Sequence, residues 1–184
     1  MEFVKHLVII SIVFIASIAG GAYHASLDVK QAEKKIETTF QGFDIIKKAD
    51  PLVVFAFIFI NNSLKALVAT AAGIFFGIFP LSFIVINGYL IGLVVYVKGL
   101  ELGFGKVLLY LIPHGILEIP AILLACSYGL WLGERFVKKL RAEDVNLRAD
   151  FRRALDKCIK RVVPILFVAA IIETFITPIV ASTA

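Results

Sequence analysis

The sequence predicts an all-α polytopic transmembrane bundle of about five spans, with kinked or broken helices and amphipathic helices at the membrane interface. Three observations carry that reading. Of 184 residues, 60% are hydrophobic, and the mean hydropathy is +0.92, an apolar excess that a water-soluble core of this size cannot absorb. The apolar residues form runs of the length that a hydrocarbon layer of about 30 Å requires. Lys and Arg gather between those runs. No polar linker is long enough to separate two folding units, so residues 1–184 read as a single integral membrane domain.

The first span is expected at 7–25, behind Lys5. Secretory signal peptides begin in the same way, and Gly20 to Ala22 resemble a cleavage region. The expectation adopted is an uncleaved first helix with a cytoplasmic N-terminus, since Lys5 precedes it. From Asp28 to Lys48, Val29, Ala32, Ile36, Phe40 and Phe43 recur three and four apart, the stripe of an amphipathic helix that lies on the membrane or pairs with a second copy. The second span, 52–80, holds Asn61, Asn62, Ser63 and Lys65 near its middle. As one helix it would run roughly 43 Å, so a tilt, kink or break is expected. A third span follows at 81–97. The fourth, 107–132, is interrupted by Pro113 and Pro120, whose missing donors predispose it to kinks.

Residues 135–161 carry ten Lys and Arg and an apolar stripe of Leu140, Leu147, Phe151, Leu155, Cys158 and Val162. The segment reads as a basic amphipathic helix lying on a surface rich in anionic lipid. Four spans before it return the chain to the side of the N-terminus, so both are expected in the cytoplasm and the protein in the cell membrane. The last span is expected at 162–180.

A net charge of +5 raises nucleic acid as a partner, but no aromatic-studded basic patch accompanies it, so no nucleic-acid partner is expected. Cys126 lies in an apolar run and Cys158 in a basic stretch, which gives a structural disulfide little support.

Gly73 and Gly77, Gly88 and Gly92, and Gly129 and Gly133 stand four apart within spans. In lipid such pairs let helix backbones approach closely, and three pairs favour a tightly packed bundle or a homo-oligomer. His114 and Glu118 share one helical face. Counted from the proposed outer ends, Asn61 and Asn62 lie about 16 to 18 Å deep, Asn87 and Glu173 about 16 Å, His114 about 12 Å and Glu118 about 18 Å. These six form one layer, a shared polar centre. Intramembrane ionisable groups are costly enough that they face the bundle interior and mark a site. His6 and His24 lie near span ends and are assigned no role.

Several chemistries fit that layer. The polar groups can serve as hydrogen-bonding glue between helices. His114, Glu118 and Glu173 can hold a divalent ion such as zinc, although the spacing that makes a zinc site specific is missing. Hydrolytic catalysis needs a defined nucleophile, and none is identifiable, so an enzyme is not the favoured reading. The leading expectation is a scaffold or assembly factor, self-associating and engaging lipid or membrane protein partners. An ion or small-solute channel or transporter is the alternative, and a membrane-embedded metal-dependent hydrolase the third.

Five stretches carry a family resemblance: Phe59-Ile-Asn-Asn-Ser, Asn87-Gly-Tyr-Leu-Ile-Gly, Leu111-Ile-Pro-His-Gly-Ile-Leu-Glu-Ile-Pro-Ala, Gly129-Leu-Trp-Leu-Gly and Glu173-Thr-Phe-Ile-Thr-Pro. Through them the chain resembles the stage II sporulation protein M family of integral membrane proteins over roughly residues 51–178. The Pro-His-Gly-x-x-Glu element is the most specific. The resemblance implies a membrane complex with cell-wall-remodelling partners during engulfment in sporulating bacteria, although many relatives occur in organisms that never sporulate. It marks Asn61, Asn62, Asn87, His114, Glu118 and Glu173 as family-pattern positions and brings no substrate or reaction with it.

Overall fold

The structure is a computed structural model that describes residues 3–41 and 49–177, apart from the side chains of residues 40, 108 and 110–114. The described elements are α1 (Val4–Leu27), α2 (Val29–Phe40), α3 (Pro51–Ala71), α4 (Ile78–Leu102), α5 (Phe104–Leu140), α6 (Leu147–Lys157) and α7 (Val163–Ile171). Among the described residues no strand occurs. Four helical stretches are long and apolar enough to cross a membrane: Val4–Leu27, Pro51–Ile74, Ile78–Leu102 and Gly115–Leu140. The fifth expected span, 162–180, is helical as far as Thr177, where α7 is flanked by π turns at Cys158–Val162 and Ile172–Ile176. Residues 178–180 lie outside the described residues.

The long apolar run 52–80 does break, and it breaks at its end. Asp50 accepts a hydrogen bond from the Leu52 N–H at 2.8 Å, and Pro51 fills the first helical position, where its missing donor costs nothing. The helix then passes Asn61 and Asn62 and ends at Ala71, followed by a 3₁₀ turn at Ala72–Ile74. The chain reverses through Phe76 (φ 58°) and Gly77 (φ 71°). Gly77 meets that left-handed geometry without a Cβ penalty, and the Phe76 ring is held edge-on to Phe136 at 5.2 Å. Ile78 to Pro80, expected in the second span, therefore open α4, whose first turn needs no donor from Pro80.

The fourth span does not end at its prolines. Helix α5 continues through Pro113 and Pro120 for 37 residues, about 55 Å, since a proline removes one donor but can be tolerated within a membrane helix. It extends past residue 132 to Leu140 and so absorbs the first turns of the expected basic segment. After a turn, α6 is capped by Asn146, whose side chain accepts the Ala149 N–H at 3.1 Å. Its stripe does not lie free: Leu147, Phe151, Cys158 and Val162 pack into the main core, whereas Leu140 is 62% exposed. The Arg135 Nε donates to Asp150 Oδ2 at 2.7 Å and pins α6 to α5. Likewise the stripe of α2 is taken up within the chain. Val29, Ala32 and Ile36 pack on Tyr89, Leu93 and Val97 of α4; the Phe40 side chain and Phe43 lie outside the described set.

Close backbone approaches set the register. A Cβ added at Gly73 would collide with the Gly129 backbone, and one at Gly133 with the backbone of Gly77. Two of the three glycine pairs thus mesh with each other across the α3–α4 reversal and α5. The third pair, Gly88 and Gly92, faces Phe14, Ser17 and Ile18 of α1. As the numbers rise along α4 they rise along α1, so these two helices run parallel. At one end of the bundle Phe3 sits edge-on to Tyr128 at 4.9 Å, and Lys5 and His6 reach Glu134. The start of α1, the end of α5 and α6 accordingly share that end.

Candidate functional site: a polar cavity between the spans

Helices α3 and α4 are joined by the Gly73–Gly77 reversal but make little contact with each other, while α5 packs on both. The space this leaves is a partly open cavity of about 520 Å³. Most of its polar lining comes from four elements: Asn61, Asn62 and Lys65 from α3, Asn87 from α4, Glu118 from α5 and Glu173 from the π turn after α7. Phe14 of α1, Phe57, Ile58, Ile84, Ile91 and Ile122 supply apolar wall. The volume falls in the range of small-molecule sites.

Five of the six residues singled out in the sequence therefore meet at one cavity. His114 belongs to α5, but its side chain lies outside the described residues, so the His114, Glu118 and Glu173 metal set is represented by its two carboxylates. Among the described residues, no three His, Cys, Asp or Glu side chains gather as a metal-binding group.

The amides are only partly consumed by the protein. Asn87 Nδ2 donates to the Phe83 carbonyl of its own helix at 2.7 Å, which leaves its side-chain oxygen for the cavity. Asn61 Nδ2 donates weakly to Asn62 Oδ1 at 3.4 Å, and Asn62 is 8% exposed. Lys65 is exposed on the cavity wall, and among the described residues it makes no ion pair or hydrogen bond. Lys65 follows Asn61 by four positions and so shares its face; that spacing was the available signal for adding it to the set.

Thr39 of α2 also lines the cavity. Nothing in the local sequence marks it, because its place depends on α2 folding back along α4. That placement is fixed around Tyr89. His24 Nδ1 and the Tyr89 hydroxyl are hydrogen-bonded, and Lys35 Nζ donates to the same oxygen at 3.3 Å, lying 4.7 Å from the ring centre. His24, assigned no role from its position at a span end, thereby ties α1, α2 and α4 together two residues from Asn87.

The model of the stage II sporulation protein M family matches residues 9–178. An uncharacterized protein of Methanocaldococcus jannaschii, MJ0706, is 27% identical over 175 residues, covering 91% of this chain and 76% of that protein. No solved structure matches. With a family match that runs from within α1 through α7 and takes in every cavity-lining residue, the chain belongs to the stage II sporulation protein M family of membrane proteins.

Proposed function

We propose that this protein binds a small polar solute in the cavity between α3, α4 and α5 and moves it across the cell membrane. The observation that carries the reading is the convergence of Asn61, Asn62, Lys65, Asn87, Glu118 and Glu173 from four separate elements on one partly open space. Helices glued by polar contacts close on one another; here the amides and the Lys65 ammonium line volume instead. Polar groups at mid-membrane, between helices that splay from a tight reversal, are the usual setting of solute pathways. In this reading the shared end of α1, α5 and α6 faces the cytoplasm, where Lys5 and the basic residues of 135–161 satisfy the positive-inside tendency.

The test is flux into liposomes containing the purified protein, with Asn62→Leu and Asn87→Leu beside the unaltered chain. Uptake of small charged or zwitterionic solutes that both variants abolish, while still folding, supports the reading. No flux of any of them overturns it.

A scaffold role has its own support in the exposed Arg148, Arg152, Lys160 and Arg161 on and after α6, a basic surface suited to anionic lipid or an acidic partner. Its signature is a homo-oligomer or partner complex that survives the cavity variants and dissociates when these four residues are made neutral. A divalent ion at Glu118, Glu173 and His114 is a further component to be sought by elemental analysis.

A further inference from the structure

The charge that the chain leaves over in the cavity narrows what it takes. We infer that its ligand is an oxyanion, carboxylate or phosphate ester, on an apolar body, with its charge seated at Lys65; the inference rests on the solute-binding reading above.

Lys65 lies too deep to carry its charge to the membrane surface. It stands fourteen residues from the start of the span Pro51–Ile74 and nine from its end, about 21 Å and about 14 Å along the axis, within a hydrocarbon layer of about 30 Å. Side chains of a helix lean toward its N-terminus, so the Lys65 stem leads away from the nearer end and toward the residues three and four positions before it. Those are Asn62 and Asn61, which line the same cavity. A cation so placed is costly unless compensated, and among the described residues no ion pair or hydrogen bond compensates it. The acids of the cavity are in the opposite condition, since Glu118 and Glu173 each interact within the chain. The charge that the fold leaves for a ligand is therefore positive. Neighbouring amides complete the seat. Asn61 Nδ2 commits one hydrogen to Asn62 Oδ1, at 3.4 Å, and the Asn62 amide nitrogen donates no hydrogen bond among the described residues. Each side-chain amide carries two donors, so both retain N–H groups to offer. An ammonium beside amide donors holds an oxyanion through charge-assisted hydrogen bonds. The remaining wall is mainly hydrocarbon, including Ile58, Ile84, Ile91 and Ile122, which favours an anion on an apolar body. A free alkyl carboxylate or phosphate and an anionic phospholipid of the bilayer share this chemistry.

Thermal unfolding of the purified full chain in detergent tests the inference. Cys126 and Cys158 are free and fully buried, so a thiol-reactive dye reports unfolding, and a ligand that binds the folded state raises the midpoint. Hexanoate and hexyl phosphate are titrated beside hexanamide and hexylammonium, which keep the apolar body and remove or reverse the charge. Dihexanoyl phosphatidylglycerol represents an anionic lipid. The expected result is a rise with hexanoate or hexyl phosphate, apparent binding of that anion weakened about tenfold or more in Lys65→Gln, and retention in Lys65→Arg. Retention in Lys65→Arg separates lost recognition from lost folding, and the midpoints without ligand show that each variant folds. A rise confined to dihexanoyl phosphatidylglycerol, with the same Lys65 dependence, supports the same class and assigns the bilayer as its source. Hexanamide or hexylammonium binding as tightly as the two anions, a rise indifferent to Lys65→Gln, or no rise at all, overturns the inference. Liposome uptake of uncharged or cationic solutes would then preserve the broader reading alone. Lys65-dependent anion binding without flux of any solute would instead overturn that reading and leave the anion seat in place.

Discussion

His6 Nε2 stands 2.8 Å from Glu134 Oε2, which joins the first turn of α1 to the last turns of α5 across 128 positions of sequence. The same carboxylate takes Lys5 at 3.3 Å and Lys138 at 2.9 Å. His6 is 4% exposed, so its partner matters more than those of the two lysines. Glu134→Gln is expected to cost about 1–3 kcal/mol, the scale for a buried polar group that loses a charged partner. Lys5→Ala, on a side chain 70% exposed, should cost about 0–1 kcal/mol. Thermal unfolding of both variants checks the ranking, and equal losses would contradict it.

The joint puts the start of α1 and the end of α5 at one end of the bundle, so both are expected on one side of the membrane. In a chain carrying Cys126→Ala and Cys158→Ala, Ala142→Cys and Lys106→Cys place single thiols at the turn after α5 and at its opposite end. An impermeant maleimide should label Lys106→Cys in intact cells, and Ala142→Cys only after the membrane is opened. The reverse pattern would invert the orientation and keep the fold; labelling of both from one side would contradict the fold.

Glycine substitutions should divide sharply. A Cβ at Gly129 would collide with the Ala69 carbonyl, whereas one at Gly20, also inside a helix, meets nothing within 4 Å. Gly129→Ala is therefore expected to destabilise by about 1–3 kcal/mol through forced overpacking. Gly20→Ala should be neutral or stabilising by about 0.5–1 kcal/mol, because Ala restricts the unfolded chain. Unfolding midpoints of the two single variants distinguish a register set by Gly73 and Gly129 from a general tolerance of small residues.

Helix α6 is held by a charged hydrogen bond, Arg135 to Asp150, with Asp150 9% exposed. Asp150→Ala should cost about 1.5–3 kcal/mol and loosen α6 from the bundle. Limited proteolysis within the turn 141–146 reads that loosening directly. Unchanged cleavage would place the anchorage of α6 in its apolar stripe alone.

Much of this organisation was legible in the residues. The apolar runs mark the spans because a bilayer demands unbroken hydrophobic length, and the layer of Asn61, Asn62, Asn87, Glu118 and Glu173 follows from depth counted at a fixed rise per residue. Boundaries were less visible where helices outlast their apolar runs: α5 carries on to Leu140 with Glu134, Arg135 and Lys138 satisfied by neighbours. A break in 52–80 was foreseeable from its length, but its place after Ala71 was hidden, because Gly73 and Gly77 suit a close helix contact and a reversal equally well, and they serve both. Thr39 and the His24–Tyr89–Lys35 cluster were illegible, since each depends on where α2 folds back, a tertiary fact with no local periodicity.

Solute transport through this chain requires the cavity to be a polar space open to solute within the membrane. The direct measurement is modification of Asn62→Cys by a small, charged thiol reagent in native membranes, in the background lacking Cys126 and Cys158. Leu166→Cys, at a core position 1% exposed and away from the cavity, serves as the control. Asn62→Cys is expected to react readily while Leu166→Cys does not. An Asn62→Cys thiol as inert as the core control would show a sealed interior and contradict it.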